Sequence, residues 1–565
     1  MTNNLCTNNS MEIEIENPIN LKNLTNDELY DIFLNINFDN FNSEQKEAII
    51  NILFYIKNTN EKKYLSLTGN AGAGKSYTIL NMFKLFPTLF ETLSVCFVGP
   101  TNMIVNKFKE IDIDVINKFK SVDFLTINQL LGEKLAYNSN GEKYFKRYKK
   151  KIPLYNFNII IIDESSMIGN NKIKIILEEL QNRNILCIFI GDRNQLNPVN
   201  ELENKILYDS DINLTINERC NKKVLNKIYN YIIREINLYN KKYKNKNFNN
   251  FYNTLIQFIS NINLKNKYVN YFNIKHSFLD TYITNYNKLN NNSLIITYTN
   301  KECDNINTYI KNKIIDDNNL SIIDNKYYIG QQILFMSRYI TNENIFNTSE
   351  IAKIISIEQT CKKLKSISLY NLFEINKDNP LNHNYISNYT EKNYLLMKKY
   401  VINEYGEIIL DDIEEILYFY NKLNEININK IKISVKQNKQ IIEDTINILK
   451  LSEEITYNKF IDKIEKNICK LKNNYITNNN NNTLLIDYII NGLYLLLNVN
   501  FKDIFANISD GFALTCHKAQ GCTVDNIYVD LESVKYISND DIKNKIKWIY
   551  TSMTRCSNKL YIYSK

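Results

Sequence analysis

At 565 residues the chain is too long for one hydrophobic core, so two to four domains are expected and a single-module adaptor is a poor fit. Hydrophobic residues at 44%, aromatics at 12% and charged residues at 23% exclude disordered, collagen-like and mucin-like chains. A formal charge of +8 is small for this length and admits a polyanionic partner without requiring one.

Residues 1–40 are polar and Asn-rich and read as a flexible lead-in ending in a small helix near Asp27 to Leu34. The opening stretch has neither the basic nor the apolar region of a leader, and no apolar run approaches the ~18 residues of a membrane span. A soluble, intracellular protein without membrane contact is the expectation. From Phe41 a helical stretch, SEQKEAIINILFYI, precedes the apolar run YLSLT, and VCFVG, NIIII and LCIFIG follow. Short apolar runs separated by helical stretches predict buried parallel strands of an α/β sheet. A second set, at SLIITYT, near IGQQILFM, at DNIYVDL and at KLYIY, predicts a second α/β lobe.

An insertion over 331–508 interrupts that second lobe. Its opening reads as short β-strands, 411–470 has helical periodicity, and Asn478 to Asn482 is a low-complexity tip. The stretch 241–250 reads as a solvated loop. The expected boundaries are therefore 1–40, 41–214 with a hairpin insertion at 132–155, 215–330, 331–508 and 509–565. The ten cysteines form no C-x-x-C pair and have no histidine at zinc spacing, as expected of reduced thiols.

Asn makes up roughly one residue in six, a bias that an AT-rich genome imposes. Against that drift the scarce residues, seven Arg, thirteen Gly and six Pro, mark positions with a purpose. Three glycines fall in GNAGAGKS, Gly69 to Ser76, which fits G-x-x-x-x-G-K-[ST] between a predicted strand and a predicted helix. Such a loop wraps phosphates with backbone N–H groups, which assigns Gly69, Asn70, Ala71, Gly72, Ala73, Gly74, Lys75, Ser76 and Tyr77 to ATP. Lys75 neutralises phosphate charge and Ser76 is a ligand for Mg²⁺. The strand NIIII ends in Asp163 and Glu164. Asp163 suits the Mg²⁺ site, and Glu164 suits a general base that polarises the attacking water.

The remaining segments fall into a known order. FNSEQKEAI with Gln45, the phosphate loop, VGPTNM, LTINQLL, IIIDESSM, GDRNQLNPV, LTINERC, TYTNKECDNIN, ALTCHKAQG and IYTSMTRCSNKLYIY together resemble superfamily 1 helicases. The likeness is to the RecD/Dda/Pif branch, nearest the Dda type, and runs from about Phe41 to the C-terminus. It implies two RecA-like P-loop lobes with parallel sheets, a β-hairpin inserted in the first, and an SH3-like β part with a helical extension inserted in the second. It also implies an ATP-dependent DNA helicase moving 5′ to 3′. Gln45 would read the adenine edge, Gln195 would sense the γ-phosphate, and Arg219 and Arg555 would reach the phosphates from the second lobe.

By the same resemblance, Pro100, Thr101, Thr126, Asn300, Thr515, His517, Lys518 and Gln520 would hold a DNA strand through phosphate and sugar contacts. LTINQLL departs from the family in having Asn128 where His is usual, so a rerouted contact is expected there. The stretch Gly132 to Pro153 reads as a β-hairpin at the position of the family's strand-separating element. Its Tyr144, Phe145 and Tyr148 interleave with Lys143, Lys146, Arg147 and Lys149, a mixture suited to stacking on bases; a solvated basic hairpin or a nuclear-localisation signal is the alternative. The partners implied are single-stranded and forked DNA, with proteins of replication, repair or recombination, and a monomeric state. An RNA or RNA/DNA helicase, or an ATPase that displaces proteins without unwinding, stays open on the same motifs.

Overall fold

The computed structural model describes residues 24–565 other than 35–37, 39, 59–62, 110–116, 118, 138–141, 148–151, 182, 199–200, 202, 221, 241–247, 265, 290–292, 376–390, 438–439, 477–482 and 539–540. Most of the expected lead-in, most of the 241–250 loop, the Asn478 to Asn482 tip and Tyr148 lie outside the described residues. The small helix of the lead-in is Asn26–Leu34.

The first part of the molecule carries, in chain order, β1 (Tyr64–Gly69), β2 (Ser94–Gly99), β3 (Ser121–Thr126), β4 (Glu133–Tyr137), β5 (Lys143–Arg147), β6 (Ile159–Ile162), β7 (Leu186–Gly191) and β8 (Ile212–Leu214). Six of them form one parallel sheet in the order β3-β2-β6-β7-β1-β8. Successive side chains on a strand point to opposite faces, so a strand covered on both sides must be apolar throughout. Ile159 and Ile161 of β6 pack with Ile49, Ile52, Ile79 and Phe83, from the helices Ser43–Lys57 and Lys75–Leu85. Ile160 and Ile162 pack on the other face with Ile173, Ile176 and Leu180 of the helix Asn170–Gln181.

The second part carries β9 (Val269–Phe272), β10 (Ser293–Thr297), β11 (Gln332–Phe335), β12 (Tyr339–Ile340), β13 (Ile345–Phe346), β14 (Ile351–Lys363), β15 (Glu425–Gln437), β16 (Gln440–Leu449), β17 (Ile508–Asp510), β18 (Ala513–Thr515), β19 (Val524–Asp530) and β20 (Cys556–Tyr563). A second parallel sheet has the order β18-β10-β19-β20-β9, so the molecule is α/β with two parallel sheets, as two RecA-like lobes require. A third, antiparallel sheet has the order β16-β15-β14-β11-β17.

Two details depart from the sequence-based expectation. The strand in IGQQILFM belongs to the antiparallel sheet, and the second lobe instead uses β9 and β18, both too short to stand out as apolar runs. The stretch 411–470 is not helical throughout: the helices Ile408–Tyr420 and Leu451–Ile476 flank a β15-β16 hairpin. Ile426, Ile428, Ile431, Ile433 and Val435 are buried along β15, and β-branched side chains recurring at nearly every second position favour a strand over a helix.

The chain leaves the antiparallel sheet at Asp510 and enters the parallel one at Ala513. Buried Asn307 fastens the crossing: its Nδ2 donates to the carbonyls of Asp510 and Ala513 at 3.1 and 3.3 Å, and its Oδ1 accepts from Ala513 N at 2.7 Å. The β4-β5 hairpin pairs Glu133 with Arg147 and Tyr137 with Lys143. Its base is docked on the insertion, where Tyr137 N donates to Asn491 Oδ1 at 3.0 Å and the Tyr137 ring stacks on Tyr494 at 5.8 Å.

Candidate nucleotide site and strand path

The phosphate loop leaves β1 at Gly69 and enters the helix Lys75–Leu85 through two left-handed residues, Gly72 at φ +85° and Gly74 at φ +78°. The positive φ favours glycine at both. A Cβ on Gly72 would lie 2.5 Å from Asn217 Oδ1 and 2.7 Å from Arg219 Cβ, and one on Gly74 would lie 2.4 Å from Gln45 Nε2. Lys75 Nζ donates to the carbonyls of Gly69 at 2.9 Å and Asn70 at 3.1 Å, which curls the ammonium over the loop. Gln45 is buried and spends both ends of its amide locally. Its Nε2 donates to Ala73 O at 3.3 Å, and its Oε1 accepts from Asn42 N at 3.2 Å in a capping box. Tyr77 is exposed beside Phe41.

Ser76 Oγ donates to Asp163 Oδ2 at 2.5 Å. A hydroxyl and a buried carboxylate, aimed at one point beside a phosphate loop, are the hard oxygen donors that fit Mg²⁺. Glu164 follows at φ 47° and ψ 42°, the left-handed region that a side chain rarely occupies. β6 thus ends in one carboxylate tied to the loop and a second held in a strained conformation.

The second lobe closes over this loop. The backbone N–H groups of Glu218 and Arg219 donate to Gly72 O at 2.8 and 3.0 Å. Arg219 also donates to Thr554 O at 3.1 Å. Burial, followed by repulsion from Arg555, pushes the Arg219 guanidinium down to about 10, with Glu164 pulling the other way. Arg555 is buried and donates through Nε to Thr551 O at 3.0 Å. Two mutually repelling guanidiniums therefore lie together, one of them on the residue whose backbone N–H caps Gly72 of the loop.

Gln195 is buried, with Nε2 3.4 Å from Asp192 Oδ2. Its Oε1 has no hydrogen-bond partner among the described residues. Asp192 also accepts from the Tyr550 hydroxyl at 2.9 Å, and that same hydroxyl accepts from Ala71 N at 2.9 Å. Sequence reasoning singled out neither Asp192 nor Tyr550. The signal available was their place inside GDRNQLNPV and IYTSMTRC.

The residues expected to hold a strand gather at the carboxyl ends of the strands. Thr297 pairs with Thr515, which brings the helix starting at Asn300 beside ALTCHKAQG. Lys518 Nζ donates to Asn300 Oδ1 at 3.3 Å. His517 is half-buried, and burial pushes its imidazole down, favouring the neutral form. Gln520 faces inward at 3% exposed, with Nε2 lacking a partner among the described residues. In the first lobe Gly99 pairs with Thr126, which sets Pro100 and exposed Thr101 beside it. The Thr126 hydroxyl caps the helix Ile127–Leu130, accepting from Gln129 N at 3.4 Å. Asn128 receives the Lys172 ammonium. Tyr144 and Phe145 are 41% and 51% exposed on β5, with Lys172 Nζ 5.5 Å from the Phe145 ring centre.

Two family models match the chain: an AAA domain over residues 54–201 and a UvrD-like helicase C-terminal domain over residues 510–563. The uncharacterized protein R530 of Acanthamoeba polyphaga mimivirus is 27% identical over 561 residues, which span 92% of this chain and 99% of that protein. Among solved structures, the Pif1 helicase from Bacteroides in complex with ADP-AlF3 and ssDNA is similar, with a TM-score of 0.42 and 11% identity over 92% of each chain. The Pif1 helicase from Candida albicans has a TM-score of 0.37 and 12% identity, over 93% of this chain and 95% of its own.

Proposed function

We infer that this chain, an ATP-hydrolysing helicase of superfamily 1 by its two family matches and its motif order, binds single-stranded DNA and unwinds duplex in the 5′-to-3′ direction. The observation that carries the reading is the shared cleft. The P-loop, Ser76, Asp163 and Glu164 come from the first sheet, the backbone of Glu218 and Arg219 caps the loop at Gly72 O, and the Arg219 side chain reaches Thr554 O beside Arg555 in the second lobe. Such a site is complete only with the lobes together.

The loop N–H groups and Lys75 bind the phosphates, and Ser76 and Asp163 would hold Mg²⁺, which supplies charge neutralisation on the phosphate oxygens. Glu164 orients water and takes its proton on a carboxylate oxygen, and Arg219 and Arg555 stabilise charge as it develops, a role worth on the order of 10³ to 10⁵ in rate for arginine fingers. Loss of phosphate contacts then lets the lobes part. Pro100, Thr101 and Thr126 on one lobe and Asn300, Thr515, His517 and Lys518 on the other grip the strand in alternation, and exposed Tyr144 and Phe145 stack at the fork. Of the eight strand assignments, Gln520 points inward and is left out of the grip, and Thr126 takes part while its hydroxyl also caps a helix.

The test is ATP turnover and strand separation on forks with a 5′ or a 3′ tail, in DNA and RNA versions. Opening of 5′-tailed DNA forks alone is expected. Opening from 3′ tails would reverse the polarity, opening of RNA alone would make RNA the substrate, and stimulated turnover without opening would leave a protein displacer.

A further inference from the structure

One buried hydroxyl stands between the phosphate loop, the γ-phosphate sensor and the second lobe. Tyr550 lies in the helix Ile542–Met553, is fully buried, and packs in the second lobe's core. Its Oη accepts from the loop amide of Ala71 and donates to Asp192 Oδ2, 2.9 Å from each. Asp192 in turn accepts from Asn194 N at 2.9 Å through Oδ1 and from Gln195 Nε2 at 3.4 Å through Oδ2. Burial, followed by the Asp192 charge, keeps the phenol far above its usual range, so the donor is permanent.

The same helix reaches the strand path. Trp548, two residues earlier and fully buried, meets the Tyr298 ring edge-on at 6.3 Å, and its carbonyl is 3.9 Å from Cys516 Sγ. Tyr298 lies two residues before Asn300, and Cys516 lies between Thr515 and His517. One rigid helix therefore touches both strand-gripping segments through Trp548 and both halves of the phosphate machinery through Tyr550.

We propose that Tyr550 is a positioning residue for hydrolysis: its hydroxyl holds Ala71 and the Asp192–Gln195 pair in register with the second lobe, so that a strand seated on that lobe sets the rate of ATP turnover. This rests on the reading of the chain as a strand-stimulated ATPase. Separating the lobes breaks both bonds of a buried hydroxyl at once, which makes the contact two-state. The inference adds a residue and a route to that motor, whose phosphate contacts otherwise end at Gln195, Arg219 and Arg555.

Tyr550→Phe removes the hydroxyl and keeps the ring in the core. Asp192→Asn changes the acceptor and leaves Tyr550 untouched, so it reports even if Tyr550→Phe fails to fold. The measurements on the full chain are kcat and KM for ATP with and without single-stranded DNA, beside the thermal midpoint. Each variant is expected to lose about ten-fold in DNA-stimulated kcat and clearly less in basal kcat, so that the ratio of stimulated to basal turnover falls while the thermal midpoint holds. The double variant should be no worse than the poorer single one, because both break one chain of bonds. An unchanged ratio of stimulated to basal turnover in folded variants overturns the proposal, as does an equal fall in both rates or multiplying losses in the double variant. A parent that DNA does not stimulate would overturn the translocase reading itself.

Discussion

Glu164 combines chemistry and strain in one residue. A non-glycine residue in the left-handed region costs about 1 kcal/mol, and here it is the residue proposed as the base. Glu164→Gly should therefore raise the thermal midpoint slightly, by about 1 kcal/mol of stability, while ATP turnover collapses; a destabilised variant would show that the carboxylate is structural. Glu164→Gln should bind nucleotide and lose single-turnover hydrolysis, and Lys75→Ala should lose tight nucleotide binding as well, because it removes the phosphate counter-charge. Normal single-turnover rates in Glu164→Gln would exclude it as base. These residues were legible because a glycine loop and a strand-end pair of carboxylates are local in sequence. Asp192 and Tyr550 lie 358 residues apart, and no spacing rule connects them.

Among the elements, the β4-β5 hairpin is the one with two separable halves. Its outer strand exposes Tyr144 and Phe145, whereas its inner strand buries Ala136 and packs Tyr137 against the helix Thr483–Leu497. Asp487 and Asp503 of the insertion, their carboxyls raised by burial, also feel the charges of Lys146 and Lys143 on β5. Replacing Tyr144 and Phe145 with Ala should remove base stacking of about 1 to 3 kcal/mol per base, lowering base pairs opened per ATP while single-strand-stimulated turnover stays within a few-fold of the parent. Tyr137→Ala should instead cost about 3 kcal/mol of stability and loosen the whole hairpin, a difference that urea melts resolve. Equal loss of unwinding and turnover in the Tyr144 and Phe145 variant would make the hairpin a structural arm. The hairpin was readable from its alternating aromatic and basic residues, but its docking surface was not, since Asn491 and Tyr494 carry no local mark. The β15-β16 hairpin was missed for a related reason. Its Lys and Asn residues resemble a solvated helix face until the alternation of isoleucines is weighed against them.

At the scale of the whole molecule, the lobes are joined by a charged seam away from the phosphate loop. Glu203 of the first part receives Lys547 Nζ at 2.7 Å and Lys543 Nζ at 3.1 Å, both from the helix that carries Tyr550. Lys547 also donates to Asn197 Oδ1 at 2.8 Å, and its side chain is 2% exposed. Burial opposes ionisation of Glu203, but Lys547 and the hydrogen bonds around it outweigh burial and hold the carboxyl at about 2. For Lys547 burial is the larger influence and draws it below the usual lysine range despite Glu203. A carboxyl depressed in the folded state contributes stability that is complete above its unfolded value near 4.5 and lost as pH falls through about 2. The chain should therefore lose stability between about pH 4.5 and pH 2, and Glu203→Gln should flatten that part of the profile, read as the thermal midpoint against pH. At neutral pH the same variant should be destabilised, because buried Lys547 loses its carboxylate partner, by less than a fully buried pair would lose since the Glu203 side chain is 28% exposed. Adding Lys547→Met should recover most of that loss, since a flexible apolar side chain of similar length fills the space without a charge to desolvate. A Glu203→Gln profile that retains the parent's slope below pH 4.5 would mean that another carboxylate carries the acid sensitivity and that the seam does not hold the lobes together.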